Sequence, residues 1–248
     1  VTIKTRYLAL FAAVYAIVAL IVTAPAYLLD SAVKHFSHQR LSLANCRGTI
    51  WQGSATPVLN TANHASVALH TLQWHLNPHA LLQGRLSVTL AWDNLEGQTP
   101  MQLLLDSQSV VLNNLQLPLS AEVISELSPY LKPAQFSGSL MLESPQLRYS
   151  EESLQGRATA HWRGAGSAMS TVYPLGDYQI EMIAAKDKIS ATLSTQNGPL
   201  LLAGQGGWSH TQGFHFYGTA RATNQTALNE LLHHLGPEST PGVYQISI

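Results

Sequence analysis

Eleven histidines are the side chains of this sequence best suited to chemistry at neutral pH. His70, His75 and His79 form the densest group. A strand turns positions five apart to opposite faces, so this spacing does not gather imidazoles around a metal. His210 and His215 share that difficulty. His233 and His234 sit near a predicted helix end, where positive charge is favourable without any ligand. No His-Glu-x-x-His run appears, and no Asp-rich loop suits calcium. The histidines read as solvated or hydrogen-bonded residues, and neither metal nor cofactor is expected.

Nucleophiles give the same answer. Cys46 is the single cysteine, so an intramolecular disulfide and a Cys-based metal site are both impossible. There is no Gly-x-Ser-x-Gly elbow, no Ser-x-x-Lys, and no Gly-rich phosphate loop opening a helix. "GAGSA" at 164–168 and "GQGGW" at 204–208 read as bulges or close backbone approaches. Glu151-Glu152 adjoins a turn and reads as a solvated pair. Asn224-Gln225-Thr226 fits a glycosylation sequon, but a helix cap explains it equally. The chain is expected not to be an enzyme.

The elements around these residues show period-two alternation. In "RLSVTLAW" Leu86, Val88, Leu90 and Trp92 face one way and Ser87, Thr89 and Ala91 the other. "MQLLLDSQSVVLNNLQL", "GSLMLESPQLRY", "QGRATAHW", "YQIEMIAA", "ISATLST", "LLLAGQGGW" and "FHFYGTARAT" behave alike. Turn signals such as "LEGQTP", "AAKDKI" and "TQNGP" separate such segments. The fold class is mainly β, with an antiparallel sheet. Two segments read as short helices: "LSAEVISELSPYL", with Ser120 as cap, and "NQTALNELLHHLG". The second has Asn224 or Thr226 as cap, a Leu228-Leu231-Leu232-Leu235 stripe and Gly236 as stop. The five tryptophans lie in or beside strands, where core packing is the default. In "GTIWQGSA", Gly48 and Gly53 are expected to bend the chain around a buried Trp51.

Thirteen basic and fourteen acidic residues leave the chain nearly neutral, which excludes the electrostatic footprint of a nucleic-acid binder. Charged residues are only 11% of the sequence, about half the usual share. Residues 7–29, "YLALFAAVYAIVALIVTAPAYLL", carry no charge. As one helix they would span about 34 Å, enough to cross a bilayer. Lys4 and Arg6 precede them, which favours a cytoplasmic N-terminus over residues 1–6. The competing reading is a signal peptide cleaved after "APA" at 24–26. We read the run as an uncleaved anchor, and either reading exports the remainder. Trp51-Gln52-Gly53 echoes Trp162-Arg163-Gly164, and each is followed by strands and a short helix. That echo is read as a duplication with halves at 30–132 and 133–248; chance similarity is the alternative.

The apolar run followed by "GTIWQGSA", "LQWHLNPHALLQG", "NGPLLLAGQGGW" and the closing "ATNQTALNELLHHLG" with "GVYQISI" resembles the type II secretion system protein N family along nearly the whole chain. Gly48, Trp51, Gly53, Asn197, Gly198 and Pro199 carry the match. The resemblance implies a single-pass inner-membrane protein of a Gram-negative bacterium with its bulk in the periplasm. It also implies an accessory role in exporting folded proteins across the outer membrane, with no catalytic residues to transfer and a structural role for those six. Other secretion components would be the partners: the inner-membrane platform and the periplasmic part of the outer-membrane channel. The alternative is a periplasmic β protein whose apolar stripes bind or transfer lipid, and exposure of those stripes discriminates the two.

Overall fold

The computed structural model describes residues 2–60, 66–94, 99–127, 131–151, 153–211, 213–223 and 225–247. The chain packs as two compact units, one of residues 1–60 and 68–98, the other of residues 61–67 and 99–248.

The first unit begins with α1 (Thr2–Val22) and α2 (Tyr27–Phe36). Strands β1 (Leu41–Gly48) and β2 (Gln52–Asn60) follow, then β3 (Ser66–Ala68) at the junction of the units. β4 (Leu72–Leu76), the single turn α3 (Pro78–Leu81) and β5 (Leu86–Trp92) complete it. Its antiparallel order is β1-β2-β4-β5. Its small core gathers Ala26, Ala55 and Trp74, with Leu29, Leu43, Cys46, Val88 and Leu90 packed against them. Leu29 comes from α2, which is therefore docked on the sheet by an apolar side. The α2 residue Asp30 fixes that docking by accepting from Lys34 Nζ at 2.6 Å and from the Leu43 N–H at 2.8 Å.

The second unit contains β6 (Met101–Leu105), β7 (Ser109–Ser120), α4 (Glu122–Leu127), β8 (Ser137–Ser150) and β9 (Ser153–Gly166). Next come β10 (Gly176–Ala185), β11 (Lys188–Asn197), β12 (Leu200–Ser209) and β13 (Gly213–Ala222). The last elements are α5 (Gln225–Leu235), β14 (Glu238–Thr240) and β15 (Val243–Ser247). The strands form an antiparallel meander in chain order as far as β13, with β15 and then β14 added at that edge. The Leu stripe of α5 covers one corner: Leu228, Leu231 and Leu232 are buried against Leu175, Leu200, Ala220 and Tyr244. The mainly β, antiparallel expectation holds.

Four expectations change. The apolar run 7–29 is not one helix. α1 stops at Val22 because residues 24–26 pair instead with the β1–β2 turn, Pro25 bridging Thr49, and Tyr27–Leu29 belong to α2. Side chains of residues 2–6 and 8–10 lie outside the description, and among the described residues no helix is long and apolar enough to cross a membrane. Residues 101–117 are two strands, split where Asp106 accepts from the N–H groups of Gln108 and Ser109. The units do not part between 132 and 133, because β7 and β8 zip together across that point from Ser109–Ser150 to Ser120–Ser139. Finally, Trp51 lies in the β1–β2 turn whereas Trp162 lies within β9, so the Trp-Gly echo has no structural counterpart. Asn224 and Glu152 fall outside the described residues.

Candidate functional site

The turn Thr49–Trp51 is a knot of hydrogen bonds. The Thr49 N–H donates to Gln52 O at 2.8 Å, and Thr49 Oγ1 accepts from the N–H groups of Trp51 and Gln52, both at 3.3 Å. The same turn grips the chain after α1. Ile50 N–H donates to Ala24 O at 3.0 Å, Ala26 N–H to Gly48 O at 3.0 Å, and Trp51 Nε1 to Ile21 O at 2.9 Å. Ile21 lies in the last turn of α1, where carbonyls lack i+4 partners, and its oxygen accepts from the Ala24 N–H at 3.3 Å as well as from the indole, which adds to the cap. Trp51 itself is only half-buried.

The buried indole is Trp74 of β4, 8% exposed, which stands opposite Gly53 in the ladder and donates Nε1 to Thr49 O at 3.2 Å. A Cβ on Gly53 would strike the Arg47 carbonyl oxygen and come within 2.6 Å of the Trp74 ring. Gly53 is therefore there for close approach. One indole thus reaches out from the turn to α1 while the other bonds back into it. Sequence reasoning found the motif but placed the wrong tryptophan inside it; the glycine-opposite-Trp register was the missing signal.

Asn197, Gly198 and Pro199 form the β11–β12 turn. Gly198 has φ 127°, in the region closed to most side chains, and a Cβ there would collide with the Gly176 backbone. Pro199 O accepts from the Thr223 N–H at 2.9 Å and from Thr223 Oγ1 at 3.0 Å, while Leu200 N–H donates to Leu175 O at 3.0 Å. Asn197 is exposed and pairs Asp177 in the ladder. The six family positions thus fall into two turns, one in each unit, and each turn ties neighbouring segments together by backbone bonds.

Titratable groups point to structure as well. Burial raises the Asp30 carboxyl, but the Lys34 and Leu43 hydrogen bonds and the Lys34 charge together hold it below the ordinary carboxylate range. Burial, then the charge of Asp30, pushes the Cys46 thiol up, which disfavours the reactive thiolate. Burial, aided by Asp177, also pushes the Tyr178 phenol well above its ordinary value; it donates to Leu200 O at 3.0 Å. His70, His75 and His79 are all exposed. Among the described residues no group of three His, Cys, Asp or Glu is placed to hold a metal ion. His215 Nδ1 is buried without a hydrogen-bond partner. The arrangement can bind and brace.

The family model for type II secretion system (T2SS), protein N, matches residues 39–247. The chain belongs to that family and is a component of the type II secretion system, hence of the cell envelope. The family is one of secretion components and not a known enzyme family. No curated protein and no solved structure matches.

Proposed function

We propose that this chain is held in the inner membrane by α1, with its N-terminus cytoplasmic and both units periplasmic, and that it supports export through protein contacts without catalysis. The carrying observation is the surface of α1. Tyr7, Phe11 and Leu20 are 69%, 74% and 73% exposed, and Tyr15, Ile17 and Val22 also face outward. So much apolar surface without protein cover is stable in hydrocarbon and costly in water. The uncharged run after Lys4 and Arg6 supports the N-in orientation. The break at residues 23–26 lets α1 leave the bilayer and enter the sheet at once, so the domain sits close to the membrane surface.

The partners in this reading are the inner-membrane platform and the periplasmic part of the outer-membrane channel. Strand edges suit such contacts, since their free N–H and C=O groups accept another strand. Crosslinking in the native membrane, followed by partner identification, tests the contacts. Mass measurement of the mature chain tests the anchor: a product beginning at Tyr27 overturns it while leaving export in place.

A further inference from the structure

Independently of that reading, we propose that the apolar face of the second unit is a binding site for the acyl chains of a membrane phospholipid, entered at the hairpin end beside Trp208. The register sets Ile180, Met182 and Ala184 of β10 beside Leu193, Ala191 and Ile189 of β11 on one face. Leu140 and Leu142 of β8, Ala158 and Ala160 of β9, and Leu202 of β12 continue it. The opposite face of these strands carries Glu181, Thr192 and Ser194. Among the described residues no charged residue lies on the apolar face from β8 to β12.

The two ends of this face differ. At one end α5 lies over Leu200, Ala220 and Tyr244, and Tyr178 and Leu175 are buried nearby. At the other, Tyr149, Trp208 and Phe214 are 49%, 41% and 61% exposed. There a cavity of about 640 Å³ has Leu154, Ile189 and Trp208 as apolar lining. Its rim is charged with both signs, Lys186 and Lys188 alongside Glu151 and Asp187. The face is thus capped by α5 over β12, β13 and β15 and has an amphipathic mouth at the other end.

The occupant follows from the chemistry. A protein interface needs hydrogen bonds, about one per 100–200 Å². Polar groups along this face are engaged inside the sheet: Thr195 Oγ1 donates to Leu202 O and accepts from the Leu202 N–H, and Trp162 Nε1 donates to Ser137 O. That leaves a surface suited to hydrocarbon. Strands of ten residues run about 33 Å, ample for an acyl chain that spans about half of a 30 Å bilayer core. The mixed-sign rim matches a phosphate and an amine better than a lone carboxylate, which selects a phospholipid over a free fatty acid.

The test uses the full chain in phosphatidylethanolamine–phosphatidylglycerol vesicles containing a tracer diacyl phospholipid with a diazirine on its acyl tail. After irradiation, labelled peptides are mapped by mass spectrometry. Labels are expected on β10–β12 as well as on α1. Ala191→Trp, which fills the apolar face, should lower β10–β12 labelling at least tenfold. Thr192→Trp, one residue on and facing the other way, should leave it within twofold. Met182→Gln replaces the blocking variant if Ala191→Trp loses the wild-type melting profile. Labelling confined to α1, equal loss in both tryptophan variants, or a face that crosslinks to protein and not to lipid overturns the proposal.

Discussion

Two tryptophans meet at Thr49, and their roles separate by burial. Trp74 fills the core of the first unit, so Trp74→Ala should cost about 3–5 kcal/mol in denaturant melts. Trp51→Ala loses the cap on Ile21 and partial packing, and should cost about 1 kcal/mol for the hydrogen bond. Equal losses would mean that Trp51 is as deeply packed as Trp74. Asp30 gives a pH signature. Its folded carboxyl titrates below its ordinary value, so the stability it adds is full above about pH 4–5 and is lost as pH falls through the folded value. Asp30→Asn should therefore flatten the acid limb of the melting profile, and an unchanged limb would place the acid sensitivity elsewhere. Of this residue-level picture, the Trp-Gly run was legible in the sequence. It did not show which indole is buried, because alternation assigns a face while register decides what stands opposite Gly53.

At the scale of elements, most strands were legible, since period-two alternation survives wherever one face is apolar and the other polar. α4 and α5 were legible too: the Ser120 hydroxyl accepts from the Glu122 N–H, and the Leu stripe of α5 is buried as its spacing requires. The break after α1 was not, because its cause is tertiary. Pro25 was the available signal, as proline ends a helix unless something compensates. The same turn makes a sharp prediction. Gly53→Val should disrupt the β1–β2–β4 ladder, lowering the melting temperature of the first unit and releasing α2 from β1. Gly198→Val should act on the β11–β12 turn, where the added side chain meets the Gly176 backbone. Hydrogen exchange on the full chain reads each effect: Gly53→Val should expose amides of β1 and β2, and Gly198→Val those of β11 and β12. Uniform exposure in both variants would show that the two turns do not brace separate units.

At the scale of the whole molecule, the joint of α1, residues 24–26 and the Thr49–Trp51 turn links an apolar helix directly to a sheet, with no long linker between them. In the proposed anchored state such a tether would hold the chain at the membrane surface and raise its effective concentration near membrane-bound partners, so that individually weak contacts would suffice. Deleting residues 1–22 should therefore weaken export even if the remaining units fold. If α1 serves only as the proposed tether, restoring a different apolar helix at the same point should recover most of it. Single substitutions of exposed histidines, His70→Ala, His75→Ala and His79→Ala, should leave export nearly unchanged, since among the described residues no group of three His, Cys, Asp or Glu is placed to hold a metal ion. An exported-protein assay run beside complex isolation separates the possibilities. One polar substitution that abolishes export while the complex assembles normally would replace the contact account with a catalytic one. A truncated chain that exports as well as the intact chain would remove the tether from the mechanism.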